Sequence, residues 1–521
     1  GFDRVRELAG RRPMNETAWL LDDHIAEFGD RPAIIDDRGE LTYRALLDQV
    51  CRAANGLHGL EIRKADRVLI ALPNSREWVV AFLASMRLGA IPVPVNPAVV
   101  PADLRYYLDD CEPAAAIVTR DIAARLGVLE DSARPRVILT GMSGSEAPSS
   151  FEMLIAGSVT SCPLAPVTRD DHSYWLYSSG TSGPPKAVMH RHGDMPHCIR
   201  PYADHVIALK PEDRVHSTGA LSYSFGLATM LYLPLSAGAC GVLSERLVEP
   251  RSLLRRVEGR RVTILFSVPT LLQSVVAHLE SAAIPARLGR LRLTGTGGEV
   301  VPEQLAERWR RVTGSPLVVG IGSTEFGHQY IAQRPDDVRP GSLGTLIPGY
   351  EARLVDDAGA DMPSGEVGEL WVKGESVACG YWKRESEAHE TFCDGWLHTG
   401  DMMIERDGHF YFRGRRNDLF KVGGLWVSPL DVEAAISKSP LVQECAVVAS
   451  YGTDGLCKPR AFVVLAAGLE DNPSTRHALF DHFRVSLQWF ERPESIEYLD
   501  SLPRTANGKL RRTALRGPNS P

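Results

Sequence analysis

Several features that would mark particular classes of protein are missing from this sequence of 521 residues. No apolar run is long enough to span a bilayer, since the most apolar stretch extends only from Trp78 to Met86. The 58 basic and 65 acidic residues give a net charge of −7 and form no block of one sign. We therefore expect neither a membrane nor a nucleic acid as a partner.

The cysteines also lack a pattern. The nine thiols form no Cys-x-x-Cys pair and no metal-ligand spacing, which favours reduced cysteines in a cytoplasmic protein. The residues Gly1–Arg6 show no apolar segment of the signal-peptide kind, and no repeat of fixed period is present. Because single cores stop growing at about 250–300 residues, the length predicts two or more domains.

Strand-like and helix-like segments alternate over the first 350 residues. Arg67–Leu72 has a strand pattern, Trp78–Leu88 a helix pattern, and Ile91–Val95 a strand pattern again. Apolar spacing between Asn15 and Gly29 predicts one amphipathic helix there. The fold class is therefore predicted to be α/β, with layers of largely parallel sheet.

The composition changes beyond about residue 350, where short strands broken by Asp/Gly turns predict a β-rich subdomain at about 345–416. A polar stretch, Gly414–Asp418, follows, and Ser428 then opens a helix predicted to extend through Ser437. We expect a large N-terminal domain, 1–416, and a small mobile α+β C-terminal domain, 417–521.

The stretch Tyr177–Lys186 combines hydroxyls, glycines and one lysine. Glycines let backbone N–H groups approach an anion, hydroxyls add donors and the lysine adds a positive charge, so the stretch predicts a phosphate-binding loop. A flexible linker is the alternative, but apolar strand-like segments lie on both sides. A Walker-type loop is disfavoured because Pro185 precedes the lysine and Ala187 follows it. The candidate phosphate ligands are Ser178, Ser179, Gly180, Thr181, Ser182, Gly183 and Lys186.

This loop resembles the signature of the AMP-forming adenylating enzymes, which include acyl-CoA synthetases, adenylation domains and luciferases. Further stretches match that family in the same order along nearly the whole chain. They are Ile321–Glu325, Gly368–Gly374, Gly395–Asp401, Gly414–Arg415 and Pro503–Lys509.

The resemblance implies ATP, Mg²⁺ and CoA as cofactors and assigns roles to matching residues. Glu325 would hold Mg²⁺, Thr324 would hydrogen-bond the α-phosphate, and Lys509 would stabilise the transition state by its charge. Asp401 and Arg415 would bind the ribose. The segments beside the adenine would contain Gly298, Glu299, Gly320 and Ile321.

Three positions depart from the family pattern. Asn417 stands where the hinge between the two domains is usually an aspartate, and it keeps the backbone freedom that a hinge needs. Ala187 replaces the usual glycine after the loop lysine, and Val319 stands where a polar residue often reads adenine. These changes are compatible with adenylation.

The stretches Ile321–His328, Val188–His192 and Leu221–Leu227 resemble the benzoate–CoA ligase branch of the family. That branch implies an aromatic carboxylic acid as substrate, with Phe225 and His328 as flat walls and two glycines leaving a slot. The implied acid-binding residues are Tyr223, Ser224, Phe225, Gly226, Gly322 and His328. Benzoate enzymes usually carry alanine at the position of Ser224, which favours an aminobenzoate or hydroxybenzoate such as anthranilate.

The acceptor of the acyl group is predicted from Lys421–Pro429, which resembles the loop of the pantetheine tunnel, with Gly423 and Gly424 at its centre. CoA and a carrier protein share the pantetheine arm. No carrier domain follows Lys509 in this sequence, which favours CoA. A monomer and a homodimer are both compatible with the sequence.

Three functions remain open at this level. The first is an aryl-CoA ligase that makes an aryl-AMP and then a thioester. The second is a stand-alone adenylating enzyme that loads an acyl carrier protein. The third is a luciferase-like oxidoreductase or an inactive nucleotide-binding protein. The complete loop and Lys509 disfavour an inactive protein.

Overall fold

The computed structural model describes residues 14–127, 135–141, 150–178, 184–244, 249–281, 288–299, 301–302, 304–423, 425–451, 457–504 and 510–516. The chain forms two compact units. The first contains Gly1–Glu351 and Lys373–Leu397, and the second contains Ala352–Val372 and His398–Pro521. This division differs from the predicted boundary between residues 416 and 417, which stays a prediction.

The first unit is built on a nine-stranded sheet whose central strands are parallel and whose edges are antiparallel. Short apolar strands buried on both faces are typical of such sheets. In spatial order the strands are Thr345–Leu346, Gln329–Ala332, Leu317–Gly322, Leu293–Thr296, Ile264–Phe266, Arg214–Ser217, Cys240–Val242, Pro32–Asp36 and Gly39–Thr42.

Two smaller sheets also lie in the first unit. Four parallel strands pair in the order Ile91–Pro94, Arg67–Ala71, Ala115–Thr119 and Arg136–Thr140. The strands His172–Ser178 and Lys186–Arg191 form an antiparallel pair. The α/β fold class predicted from the alternating pattern is confirmed.

Helices cover these sheets, and several of them begin at a residue whose side chain caps the first turn, namely Asn15, Thr42, Ser75, Thr119 and Ser150. The side chain of Thr42, for example, accepts a hydrogen bond from Ala45 N at 3.2 Å. The α-helices of this unit are Glu16–Leu20, Ile25–Phe28, Tyr43–Gly59, Arg76–Arg87, Pro101–Cys111, Arg120–Leu126, Phe151–Ala156, Asp194–Tyr202, Ser224–Leu227, Leu233–Ser236, Pro250–Gly259, Pro269–Ser281, Leu305–Thr313 and Glu385–Thr391. Shorter turns of 3₁₀ or π type are Asp22–His24, Ala203–Ile207, Ala228–Tyr232 and Thr324–Phe326.

The single helix predicted between Asn15 and Gly29 is wrong, because the segment is three short pieces. Asn15 does cap the first piece, accepting from Thr17 N at 3.1 Å. The helix breaks at Leu21, whose φ of −127° lies outside the helical range. The next residue, Asp22, forms an ion pair with the buried guanidinium of Arg87 at 2.8 Å.

The second unit contains the C-terminal α+β fold. Its strands Val442–Tyr451, Cys457–Leu465 and Ser495–Tyr498 form one sheet, and Phe420–Val422 pairs with Leu425–Val427. The helices are Pro429–Ile436 and Pro473–Ser486, with a 3₁₀ turn at Arg512–Ala514. Ser428 caps the first helix by accepting from Asp431 N at 3.2 Å, as predicted.

The β-rich segment predicted at about 345–416 is a five-stranded sheet. Its strands are Tyr350–Val355, Gly368–Gly374, Phe392–Cys393, Trp396–Arg406 and His409–Arg415. Among the described residues of the whole chain, no helix combines the length and the apolar character needed to cross a membrane.

Candidate functional site

The two ends of the predicted phosphate loop are fixed by a strand pair. Ser178 lies opposite Lys186 in the antiparallel register, so the chain must reverse direction between them. Tyr177 donates a hydrogen bond to Asp110 at 2.7 Å, and Tyr106 donates to the carbonyl of Pro185 at 2.7 Å. The loop residues Ser179, Gly180, Thr181, Ser182 and Gly183 lie outside the described residues.

Lys186 is held on two sides. Its ammonium forms an ion pair with Glu387 of the helix Glu385–Thr391. The same ammonium lies 5.2 Å from the ring centre of Tyr381, which is the geometry of a cation–π contact. With its side chain 25% exposed, the lysine remains accessible to an anion.

Thr324 and Glu325 follow the end of the strand Leu317–Gly322, in the 3₁₀ turn Thr324–Phe326. Glu325 is half-buried, and its Oε1 accepts a hydrogen bond from the hydroxyl of Tyr381 at 2.9 Å. The lysine of the loop and the carboxylate predicted to hold magnesium are therefore joined by one tyrosine. Sequence analysis did not identify Tyr381, since one aromatic residue after a glycine carries no specific signal.

A buried histidine supports the same turn. Nε2 of His190 donates to the carbonyl of Thr324 at 2.7 Å, and the imidazole stacks on the ring of Tyr174 with centroids 4.8 Å apart. Nδ1 lies 3.3 Å from a carboxylate oxygen of Asp194. His190 and Asp194 were also missed as site residues, although the stretch Val188–His192 contributed to the resemblance.

The carboxylate of Glu325 fits a magnesium ion. Mg²⁺ in nucleotide enzymes is usually bound through one or two carboxylates together with phosphate oxygens and water. Among the described residues, no three His, Cys, Asp or Glu side chains gather as a metal cage. Among the described residues, the only hydrogen bond to the Glu325 carboxylate is the one that Tyr381 donates to Oε1. Oε2 is therefore available to a cation.

The segments predicted to flank adenine lie at the ends of neighbouring parallel strands. Gly298 has a φ of +82°, and a side chain there would meet open space, whereas Glu299 is half-buried. A Cβ at Gly320 would lie 2.3 Å from Oε1 of Gln329. Gln329 also donates to the carbonyl of Thr296 at 3.3 Å, so it links the two strands below Gly298 and Ile321.

The residues of the predicted acid pocket are connected through aromatic contacts. Phe225 makes an edge-on contact with Phe266, at 6.1 Å between centroids, and His328 makes one with Tyr202 at 4.4 Å. Tyr202 and Phe266 lie 6.3 Å apart, so the four rings form a continuous row. Tyr202 and Phe266 were not identified from the sequence.

His328 is electrically neutral in this environment. It is buried, and burial lowers the pKa of its imidazole to about 3. Within the described residues Nε2 has no hydrogen-bond partner. A neutral imidazole can accept or donate one hydrogen bond there, but it offers no positive charge to a carboxylate at neutral pH.

The helix Ser224–Leu227 carries the other pocket residues. Tyr223 precedes it in an extended conformation, and its hydroxyl accepts a hydrogen bond from Asn96 Nδ2 at 3.3 Å. A Cβ at Gly226 would lie 2.1 Å from the carbonyl oxygen of Ala220, and one at Gly322 would lie 2.2 Å from that of His328. Backbone therefore lies where a side chain at either glycine would begin, and the slot for the acid stays a prediction.

In the second unit, Asp401 and Arg415 are paired across neighbouring strands. Asp401 is buried, and Nε of Arg415 lies 2.9 Å from its Oδ1. Arg415 also donates to the carbonyl of Thr399 at 2.8 Å. The pair presents a carboxylate and a half-exposed guanidinium side by side, a donor and acceptor set suited to sugar hydroxyls.

The predicted hinge is contacted by Arg516, which follows the 3₁₀ turn Arg512–Ala514. Arg516 donates to the carbonyl of Asn417 at 2.7 Å and to Asp418 at 2.8 Å. In the predicted acceptor loop, Gly423 has a φ of +58°, and a Cβ there would meet the ring of Trp489 at 3.0 Å. Gly424 and Lys509 lie outside the described residues.

Known proteins resemble this chain over most of its length. Residues 21–382 match the AMP-binding enzyme family, and residues 431–509 match the AMP-binding enzyme C-terminal domain. The chain is 34% identical to the benzoate–CoA ligase of Thauera aromatica, over 94% of this chain and 93% of that protein. It is also 34% identical to a 4-hydroxybenzoate–CoA/benzoate–CoA ligase of Rhodopseudomonas palustris, over 97% and 94% of the two chains.

A solved structure shows the same fold. The crystal structure of an anthranilate CoA ligase in complex with anthranoyl-AMP superposes with a TM-score of 0.88, at 32% identity and over 96% of each chain. The predicted resemblance to adenylating enzymes of the benzoate–CoA ligase branch is thereby confirmed.

Proposed function

Because the chain belongs to the AMP-binding enzyme family, we propose that it is an ATP-dependent aryl-CoA ligase acting on a benzoate-type acid. The observation that carries the proposal is the meeting of Lys186 and Glu325 at Tyr381, beside the ends of the candidate phosphate loop. A cation and a magnesium-binding carboxylate are what the triphosphate of ATP requires.

The reaction has two steps. In the first, a carboxylate oxygen of the acid attacks the α-phosphorus of ATP, the bond to the β-phosphate breaks, and pyrophosphate leaves. In the second, the thiol sulfur of CoA loses its proton and attacks the carbonyl carbon, and AMP leaves. Magnesium supplies charge neutralisation at the phosphates in the first step.

Different residues of this chain have different roles in the first step. Lys186 and the loop bind the β- and γ-phosphates, Thr324 donates to the α-phosphate, and Lys509 stabilises negative charge on the reacting phosphorus. Asp401 and Arg415 anchor the ribose, while Gly298, Glu299, Gly320 and Ile321 lie along the adenine. These assignments follow the family pattern residue by residue.

The acid is an aminobenzoate or hydroxybenzoate. Three relatives act on benzoate, 4-hydroxybenzoate or anthranilate according to their names, which supports an aromatic acid. Ser224 adds a hydroxyl to the pocket, and His328 adds a buried imidazole nitrogen without a partner among the described residues. A polar ring substituent would satisfy groups of this kind, whereas benzoate would leave them unpaired.

CoA is the proposed acceptor, and a carrier protein that bears the same pantetheine arm is the second candidate. The enzyme would work in the cytoplasm, as a monomer or a homodimer. Nine free thiols support a reducing compartment.

Mass spectrometry of the products tests the function. The protein is incubated with ATP, Mg²⁺, CoA and a panel of benzoate, anthranilate and the hydroxybenzoates, and aryl-CoA with AMP is the expected product. An aryl-AMP that accumulates beside CoA and is consumed only when a carrier protein is added would favour the second candidate. Absence of both aryl-AMP and aryl-CoA would refute adenylation.

Ser224→Ala tests the acid. We expect the substitution to lower kcat/KM for the preferred amino- or hydroxybenzoate by about tenfold relative to benzoate, because the hydroxyl contributes one hydrogen bond to the substituent. Ser236→Ala, which removes a hydroxyl bonded at 2.8 Å to Leu233 O, is a matched control. Equal preference for benzoate and its substituted analogues in the wild type and Ser224→Ala would contradict the assignment.

A further inference from the structure

Tyr381 contacts two charged side chains of the candidate adenylation site, those of Glu325 and Lys186. Its hydroxyl donates to Oε1 of Glu325 at 2.9 Å, and the face of its ring lies 5.2 Å from the ammonium of Lys186. The tyrosine is only 6% exposed, so its hydroxyl has little competition from water. One side chain therefore contacts both the ammonium of Lys186 and the carboxylate of Glu325 and fixes the distance between them.

The backbone around Tyr381 is hydrogen-bonded to both elements that carry these side chains. On one side, Ala378 N donates to the carbonyl of Glu325 at 2.7 Å. On the other side, Trp382 N donates to the carbonyl of Ala187 at 3.0 Å, directly after the lysine. The segment 378–382 thus joins the strand Lys186–Arg191 to the turn Thr324–Phe326.

The side chain itself has little freedom to move. Its ring packs against Phe392, with centroids 5.2 Å apart, and belongs to a buried cluster with Val188 and Ala378. The ring cannot leave Lys186 without disturbing this cluster. Holding a catalytic group in place before substrate binds removes an entropic cost from the reaction.

We propose that Tyr381 is a positioning residue for adenylation, an inference that rests on the proposed function. Its hydroxyl occupies Oε1 of Glu325 and so presents Oε2 to the magnesium ion, while its ring holds the ammonium of Lys186 within reach of the phosphates. The tyrosine touches no reacting atom. It acts through the carboxylate and the lysine.

Tyr381→Phe separates the two contacts, because it removes the hydroxyl and keeps the ring. We expect the Mg²⁺ concentration for half-maximal pyrophosphate exchange to rise by about tenfold, which corresponds to losing one hydrogen bond to a charged group. Binding of Mn²⁺ to the ATP complex, measured by electron paramagnetic resonance, should weaken by a similar factor. Conversion of supplied aryl-AMP and CoA to the thioester should stay unchanged.

Tyr381→Leu removes the ring as well. This variant should also bind ATP more weakly, as measured by calorimetry, because Lys186 loses its cation–π partner. Tyr43→Phe is the matched control, because it deletes another buried tyrosine hydroxyl, bonded at 2.6 Å to Ala239 O, far from the site in sequence. The control should lose comparable stability and keep the Mg²⁺ dependence of the wild type.

Restoring a hydrogen-bond donor on the ring at position 381 distinguishes a positioning role from a role in packing alone. Tyr381→4-aminophenylalanine keeps the ring and offers an N–H group, so it should recover most of the wild-type Mg²⁺ and Mn²⁺ affinities. An unaltered metal affinity in Tyr381→Phe, or an equal change in Tyr43→Phe, would overturn the proposal. Wild-type protein that forms no aryl-AMP would instead overturn the proposed function, and the Mn²⁺ measurement would still test the contact with Glu325.

Discussion

Glu16 is a fully buried carboxyl group outside the candidate site. Its Oε2 accepts hydrogen bonds from Ser173 Oγ and from Tyr232 OH, both at 2.8 Å, whereas Oε1 has no partner among the described residues. Burial raises the pKa of Glu16 to about 8, against an ordinary value of 4.5. At neutral pH the group is therefore mainly protonated in the folded protein and ionised in the unfolded chain.

Glu16→Gln should change the pH dependence of stability. The raised pKa gives a stabilising contribution that is complete below pH 4.5 and is lost as the pH rises through about 8. Glutamine keeps the shape and stays neutral, so the free energy of unfolding of the variant relative to wild type should increase from pH 5 to pH 8. The expected increase is on the order of 1 kcal/mol for each pH unit. Urea unfolding at four pH values measures it.

Glu27→Gln is the control, since Glu27 is exposed in the neighbouring helix Ile25–Phe28. Its stability relative to wild type should show little dependence on pH. The same flat profile in Glu16→Gln would mean that the buried carboxyl group does not hold its proton in the folded state.

At the scale of elements, the ends of the central parallel strands are packed too closely to admit side chains. Gly322 ends the strand Leu317–Gly322, and the backbone of His328 and Gln329 lies against it within 2.6 Å of a Cβ position. Gly226, in the helix Ser224–Leu227, is equally close to the carbonyl of Ala220. These contacts set the paths of the segments that carry Thr324, Glu325 and His328.

Gly322→Ala should destabilise the protein by about 1–3 kcal/mol, because backbone must move to admit the methyl group. We also expect loss of adenylation, since the displaced turn carries Glu325. Denaturant midpoints and pyrophosphate exchange provide the two measurements. Gly59→Ala is the comparison, since a Cβ at this last residue of the helix Tyr43–Gly59 meets nothing within 4 Å. If both variants keep wild-type stability, the close packing is not a constraint.

Local patterns predicted some elements well and failed at others. The cap at Ser428 follows from residues close in sequence. The helix expected from Asn15 to Gly29 does not form as one piece, because the turn at Asp22 pairs with Arg87, 65 residues away. Apolar periodicity contains no information about such a partner.

At the scale of the whole molecule, the family matches cover residues 21–382 and 431–509, on both sides of the predicted hinge. The family resemblance assigns the C-terminal domain to two orientations, one for each half-reaction. Lys509 is proposed to act in the first of them, and Asn417 is the proposed hinge residue. The contacts of Arg516 with Asn417 and Asp418 hold the hinge segment to the C-terminal turn.

Lys509→Ala should abolish most aryl-AMP formation and leave the conversion of supplied aryl-AMP and CoA to thioester nearly intact. The proposed role of the lysine is charge stabilisation in the first step alone, and removing one such group costs about 10²–10³ in rate. Pyrophosphate exchange and single-turnover thioester formation measure the two steps separately. Lys458→Ala, which breaks a surface ion pair with Glu494, should change neither. Equal loss of both half-reactions would contradict the assignment of Lys509 to one orientation.

The sequence by itself determined the family, the α/β fold class and the order of the motifs. It did so because the loop Tyr177–Lys186, Thr324–Glu325, Asp401 and Lys509 are matched by residue type and spacing along the chain. It also placed strand-like segments on both sides of the stretch Tyr177–Lys186, and the structure has the strands His172–Ser178 and Lys186–Arg191 there.

Only the tertiary structure decided which side chains meet around those motifs. Tyr381 lies 56 residues from Glu325, and His190 lies 134 residues from Thr324, yet both are hydrogen-bonded partners. Such contacts depend on the order and register of strands and on the packing of segments between them, which no local pattern specifies. The motif residues can thus be recognised from the sequence, whereas the residues that position them are identified only in the folded structure.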